Sequence, residues 1–217
     1  MMPPLLLSLI TALAVASPVG ANPASAPDAN SWEIGPIIRG RNYSVGMPLH
    51  PAPSPGGWSF DFPVGSAGAG HVHYVTFRPA SMAGKSRIVV RYRIDAERGT
   101  RFVPQANPDS PALVSLYFQR RGDSWSAKGR YNFYRWYAPL ATARPLSTGV
   151  QEISIALDDP DWVSVMGPNA GKARAEMRAA LADPDRVGLV FGSEEGRGHG
   201  VFATQPARFT LLSFQIL

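Results

Sequence analysis

The chain has 217 residues, of which 45% are hydrophobic, and a formal net charge of +5. That apolar content supplies a full core and excludes global disorder, and the length suits one β-sandwich domain. The basic excess is scattered, with Arg120–Arg121 as its one adjacent arginine pair, so it makes no cationic stripe for nucleic acid, although a weak preference for acidic polymers fits it. There are no cysteines, which excludes disulfides, thiolate metal sites and a cysteine nucleophile. Gly and Pro number 21 each, a turn-rich composition that favours many short strands over long helices.

The chain opens on an apolar run, Leu5 to Ala16, followed by the small residues Val19-Gly20-Ala21. This pattern predicts a signal peptide over residues 1–21, cleaved after Ala21. The run is shorter than the roughly 18–20 apolar residues that span a bilayer. The expectation is therefore a periplasmic or secreted protein with no stable membrane span after cleavage. Residues 22–30 form a Pro- and Ala-rich flexible leader, and residues 31–217 a single domain.

Within that domain, Trp32 to Ile38 predicts a first strand interrupted at Gly35-Pro36, hence an edge or bent strand. Pro48 to Gly57 is a loop. Trp58, Phe60 and Phe62 alternate with polar residues, and His71 to Phe77 is a further strand. Arg87 to Asp95 has the clearest period of two, with Ile88, Val90, Tyr92 and Ile94 on one face. Leu113 to Gln119 leads through a turn at Arg121-Gly122-Asp123 to an aromatic strand, Tyr131 to Tyr137. Glu152 to Leu157 places Ile153, Ile155 and Leu157 inward. Lys172 to Ala182 is the one expected helix, Ala-rich and stopped by Asp183-Pro184, with Met177, Ala180 and Leu181 as its apolar side. Val187 to Phe191 and Phe209 to Ile216 close the chain. In the last strand Leu212, Phe214 and Ile216 share one face and Leu211 takes the other. Eight to ten short strands and one helix predict an all-β fold, an antiparallel β-sandwich of the jelly-roll kind with one short helix.

Strand parity also selects candidate binding residues. The outward set of the Arg87 strand holds Arg91 and Arg93, and that of the Leu113 strand holds Tyr117 and Gln119. His71 and His73 share one face of their strand, opposite Val72 and Tyr74. Tyr131, Arg135 and Tyr137 share a face of the aromatic strand. If these strands are neighbours, His, Arg, Gln and Tyr gather on one surface. There aromatic rings stack on sugars while Arg, Gln and His hydrogen-bond to hydroxyls or carboxylates. The same residues also suit ordinary solvated cross-strand pairing. Trp125, just past a turn, offers a stacking surface. Glu194 and His199 sit in the glycine-rich loop GSEEGRGHG as possible rim contributors. His71 and His73 have the spacing of a two-His strand site, but a pair alone makes no metal centre, and neither a metal nor a cofactor is expected. No nucleophile elbow, P-loop, HExxH or EF-hand pattern occurs, so no catalytic residue is assigned.

The segments GDSWSAKGRYNFYRWYA, GVQEISIAL with DWVSVMG, and VGLVFGS with GHGVFAT and ARFTLLSFQI resemble the second half of galactose-binding-like jelly-roll domains. They are also similar to carbohydrate-binding-module-like domains of exported bacterial proteins, over about residues 58–217. The resemblance implies a module that binds a glycan or other envelope polymer on a sheet face without catalysis. The alternative is an enzyme, a polysaccharide lyase cleaving a uronate polymer by β-elimination. Lys128-Gly129-Arg130-Tyr131 resembles a Lys-Gly-x-Tyr element of jelly-roll lyases, but the Gln-x-His pair of those lyases is absent, with His71-Val72-His73 at best a replacement. Convergence of His71, His73, Gln119 and Tyr131 on one point would separate the two readings.

Overall fold

The structure, a computed structural model, describes residues 28–217. The expected signal peptide and most of the leader lie outside the described residues. Ala29, at the end of the expected leader, is buried in a 3₁₀ turn, Ala29–Ser31. No helix among the described residues is long and apolar enough to cross a membrane.

Two antiparallel sheets pack face to face. The strands, in chain order, are β1 (Trp32–Gly35), β2 (Ala52–Ser54), β3 (Gly57–Asp61), β4 (Tyr74–Phe77), β5 (Arg87–Ala96) and β6 (Leu113–Arg120). They continue as β7 (Arg135–Tyr137), β8 (Arg144–Pro145), β9 (Gly149–Ala156), β10 (Val163–Ser164), β11 (Pro184–Gly192) and β12 (Ala207–Ile216). The seven-stranded sheet runs β1-β4-β11-β6-β7-β10 with β8 beside β6, and the five-stranded sheet runs β9-β5-β12-β3-β2. From β3 to β6 successive strands alternate between the sheets, as they do again from β11 to β12. That is the connectivity of a jelly roll, and the fold is the expected all-β antiparallel sandwich with one α-helix, α1 (Arg174–Ala182).

Alternation explains the core. In β5, Ile88, Val90, Tyr92 and Ile94 are buried, while Arg87, Arg91 and Arg93 are exposed. In β6, Val114, Leu116 and Phe118 enter the main core. The closing strand β12 lies between β5 and β3, so its apolar face completes the five-stranded sheet. A register shift between Leu211 and Ser213 reverses its parity. Phe209 and Leu211 point inward before it and Phe214 after it, whereas uninterrupted alternation had set Leu211 against Phe214. A bulge of this kind adds one residue to one strand and turns the following side chains over. Helix α1 buries Met177, Ala180 and Leu181 as expected.

Phe209 is the hub of the aromatic core. Its ring lies 6.0 Å from Trp58, 5.2 Å from Phe60, 4.9 Å from Tyr92 and 5.7 Å from Phe191, so both sheets meet on it. Phe209→Ala is expected to cost about 3–5 kcal/mol, because the close-packed rings around it cannot collapse into the space. Urea unfolding measures this, and a loss under about 1 kcal/mol would sink the assignment.

Candidate functional site

The outer face of the seven-stranded sheet carries a second, polar cluster. Cross-strand register sets Tyr117 opposite Tyr137 and Gln119 opposite Arg135. Gly188 on β11 stands between Thr76 and Tyr117, and Val190 stands between Tyr74 and Ser115. Tyr74, Tyr117, Tyr137 and Val190 form their own buried cluster, with Trp125, Val163 and Val165 against it. The parity that puts Val114, Leu116 and Phe118 in the core thus puts Tyr117 and Gln119 on this face.

Hydrogen bonds tie the cluster together. The Tyr74 and Tyr137 hydroxyls are 2.8 Å apart, and the Tyr117 hydroxyl donates to Gln119 Oε1 at 3.1 Å. Gln119 Nε2 donates to Asp123 Oδ2 at 3.0 Å, and the backbone N–H of Trp125 donates to Asp123 Oδ1 at 3.1 Å. Arg135 Nε lies 2.9 Å from Asp123 Oδ2, with only 9% of the Arg135 side chain and none of the Asp123 side chain exposed. The contact is ionic rather than a well-aligned hydrogen bond, and both Nε and Nη2 of Arg135 are buried without a hydrogen-bond partner. The Arg135 guanidinium stacks over the Trp125 ring, 4.8 Å from its centroid.

Burial sets the charge states. It pushes the Asp123 carboxyl up, against the opposing pull of Arg135 and of the N–H groups that point at it. Burial likewise raises the Tyr74, Tyr117 and Tyr137 phenols, which therefore act as neutral hydroxyls. Trp125 adopts φ 61°, a left-handed conformation costing a bulky residue about 1 kcal/mol. Its backbone N–H hydrogen bond to Asp123 and its stack on Arg135 hold it there.

Beside Trp125 a hollow of about 320 Å³ opens on the sheet, lined by Glu33, Thr76, Arg78, Tyr117, Gln119, Asp123, Trp125, Asp185 and Arg186 among others. Between Thr76 and Tyr117, two of its lining residues, stands Gly188, where a Cβ would collide with the Val75 carbonyl oxygen. The hollow is balanced in charge: Arg78 pairs with Asp185 at 3.1 Å, and Arg186 with Glu33 at 3.1 Å. Paired Arg and carboxylate groups with neutral phenols and an amide offer both donors and acceptors, the match for a hydroxyl-rich ligand.

Of the residues singled out in the sequence, the fold brings together Tyr117, Gln119, Trp125, Arg135 and Tyr137. Arg91 and Arg93 face outward from the five-stranded sheet, where Arg93 pairs with Asp95 at 2.8 Å. Alternation tells inside from outside but not one sheet from the other. Tyr131 lies in a 3₁₀ turn, Gly129–Phe133, rather than in the expected strand, and packs on Tyr134 with Arg130 above its ring. His71 and His73 are buried beneath the glycine-rich loop. His73 Nδ1 is 2.8 Å from the Gly198 carbonyl oxygen, and His73 Nε2 is 3.2 Å from His71 Nδ1. Glu194 and His199 are exposed on that loop. His71, His73 and Tyr131 do not line the hollow that Gln119 lines. Among the described residues no group of three or more His, Asp or Glu is placed to hold a metal ion.

Sequence parity missed Tyr74, because Val72 and Val75 both enter the core and the two residues between them break the alternation. It also missed Asp123, whose turn position carries no periodic signal. Arg197, from the glycine-rich loop, stacks over Tyr137 at 5.2 Å and donates to the Ala138 carbonyl. A Cβ at Gly198 would strike the Tyr74 ring at 2.6 Å, and one at Gly200 would strike His73 at 2.7 Å. The loop therefore covers the tyrosines and the histidine pair together, and its glycines permit that approach.

The histidine pair makes stability depend on pH. Burial first, then His71, lowers the His73 pKa from 6.5 to about 4. The unfolded chain takes up this proton near pH 6.5 and the folded protein only near pH 4. The folded state is therefore fully stable above that window and loses roughly 3 kcal/mol as pH falls through it. Urea midpoints at pH 7.5 and 4.5 check this. The fall between them should shrink in His73→Asn, whose amide N–H stands at the Nδ1 position and can still donate to Gly198, and an undiminished fall would rule out His73 as the cause.

No family model and no curated protein matches the chain. Among solved structures it is similar to a xylan-binding module CBM15, at 14% identity over 89% of this chain and 99% of that one, with a TM-score of 0.43. A likeness of that size carries no argument about ligand, so the site stands on its own geometry.

Proposed function

We propose that this protein is a non-catalytic module that binds a glycan or other envelope polymer on the outer face of its seven-stranded sheet. The observation that carries this reading is the placement of Trp125. Its half-buried ring is fixed by Asp123 and Arg135 at the wall of a hollow that offers paired donors and acceptors. A held aromatic surface beside hydrogen-bonding groups suits a sugar ring, which has apolar C–H faces and a hydroxyl edge. The site residues we assign are Tyr117, Gln119 and Trp125, joined by Tyr74, Thr76 and Asp123, which line the hollow, with Arg135 and Tyr137 supporting Trp125 and Tyr74. The apolar run at residues 5–16 and the small residues before position 22 support export to the periplasm or beyond.

Retardation in native gels cast with soluble polysaccharide tests the binding. Trp125→Ala should weaken it about ten-fold or more, as loss of a central aromatic anchor does. Unchanged retardation would remove Trp125 from the site.

Binding should also weaken on acidification. Burial raises the Asp123 carboxyl, so its charge is lost earlier than that of a free aspartate as pH falls, and with it the ionic partner of Arg135 and the charge on the oxygen that holds Trp125. Retardation followed downward from pH 7.5 should fall in the native protein and be flat and weak in Asp123→Asn. Equal pH profiles would place the titrating group elsewhere.

A further inference from the structure

Trp125 is shared by two depressions. Besides the hollow it lines a cleft of about 460 Å³, together with Ile38, Arg39, Arg41, Tyr43, Ser124 and Ser126. Its chemistry differs from that of the hollow. Two arginines line it and no carboxylate does. Among the described residues neither Arg39 nor Arg41 has a carboxylate within ion-pair distance. Arg41 is steadied by the Tyr43 ring, 5.3 Å away.

The arginines come from a hairpin, Ile37–Ile38 paired with Arg41–Asn42, whose two-residue turn is Arg39-Gly40. Both turn residues have positive φ, 51° and 79°. This is a type I′ turn, in which Asn or Gly normally takes the place Arg39 occupies. Three non-glycine residues among those described have positive φ: Arg39, Trp125 and Ala127. The first two both line this cleft. Unfavourable backbone conformations persist where the side chains they present have work to do, and they cluster at ligand clamps.

We propose that this cleft is an anion subsite continuous with the hollow, and that the ligand is an acidic polysaccharide. A sugar's hydroxyls lie in the charge-balanced hollow, Trp125 stacks at the junction, and an anionic substituent on an adjoining residue meets Arg39 and Arg41 with the Ser124 and Ser126 hydroxyls. The assignment rests on the glycan-binding reading and narrows it. A carboxylate and a sulfate share the required chemistry, since both present oxygens to a guanidinium fork.

The test is migration of the full chain in native gels cast with polygalacturonate, dextran sulfate or neutral xylan. Stronger retardation in an acidic gel than in xylan is expected, and because the first polymer carries carboxylates alone and the second sulfates alone, whichever acidic gel holds the protein more strongly identifies the substituent. Arg39→Asn with Arg41→Gln should weaken binding in the acidic gel roughly five-fold, to the level of xylan. Asn suits the I′ turn, so the Tm of this variant should be equal or higher, which separates lost binding from lost folding. Arg98→Ala with Arg101→Ala removes the same charge from exposed positions elsewhere and should leave the preference intact. Equal retardation in all three gels, a preference surviving in the Arg39/Arg41 variant, or its equal loss in the Arg98/Arg101 variant would each overturn the anion subsite. Binding to xylan alone that is lost in Trp125→Ala would overturn the subsite and leave the glycan reading standing. No retardation in any gel would overturn both.

Discussion

A guanidinium and a carboxylate buried together under an indole ring hold the outer face of this sandwich. The Arg135–Asp123 pair is almost wholly removed from water, so each charge depends on the other. Burial alone disfavours the Asp123 carboxylate, and the Arg135 cation with the Gln119 and Trp125 N–H groups offsets part of that cost. Replacing such a pair by apolar groups is often neutral or favourable for stability. Its presence here is explained by what it holds. Asp123 captures the backbone of Trp125, Arg135 supports its ring, and Gln119 passes the connection to Tyr117.

The seven-stranded sheet is in consequence buried on both faces, by different physics. Inward, Val114, Leu116, Phe118 and Trp136 pack against the five-stranded sheet, where area removed from water and close packing decide the energy. Outward, the tyrosine cluster is roofed by the glycine-rich loop and by the Trp125 turn, and each buried polar atom needs a partner. Tyr74 and Tyr137 meet that need in each other, and Tyr117 in Gln119. Arg135 keeps two nitrogens without a hydrogen bond, a departure of the sort found where a surface serves a ligand as well as the fold. The glycine-rich loop serves the fold by covering this layer. Its polar residues Glu194 and His199 are exposed to solvent, while Gly198 and Gly200 make the close contacts.

Much of this was legible in the residues, for a local reason. A pleated strand turns successive side chains to opposite faces, so Tyr117, Gln119, Arg135 and Tyr137 declared a shared polar side next to Val114, Leu116, Phe118 and Trp136. Where the pleat is broken the reading slipped. The β12 bulge moved Leu211 into the core with Phe214, and the irregularity between Val72 and Val75 brought Tyr74 to the outer face and left His71 and His73 beneath a loop. Arg91 and Arg93 were read correctly as outward, yet they belong to the other sheet. Tyr131 fell to a 3₁₀ turn because Gly129 and the residues after it close on themselves before β7 begins.

The sequence by itself determined the class of fold, the aromatic core around Trp58, Phe60 and Phe209, the short helix with its buried Met177 and Leu181, and the inside and outside of each regular strand. All of these follow from period, turn chemistry and apolar content, which are properties of neighbouring residues. Only the tertiary structure decided which strands are neighbours. That choice joins Asp123 to Arg135, brings the Arg39 hairpin beside the Trp125 turn, and separates Arg91 from Gln119. Adjacency in a jelly roll is set by connections that cross between sheets, and no local pattern records where a crossing strand will land.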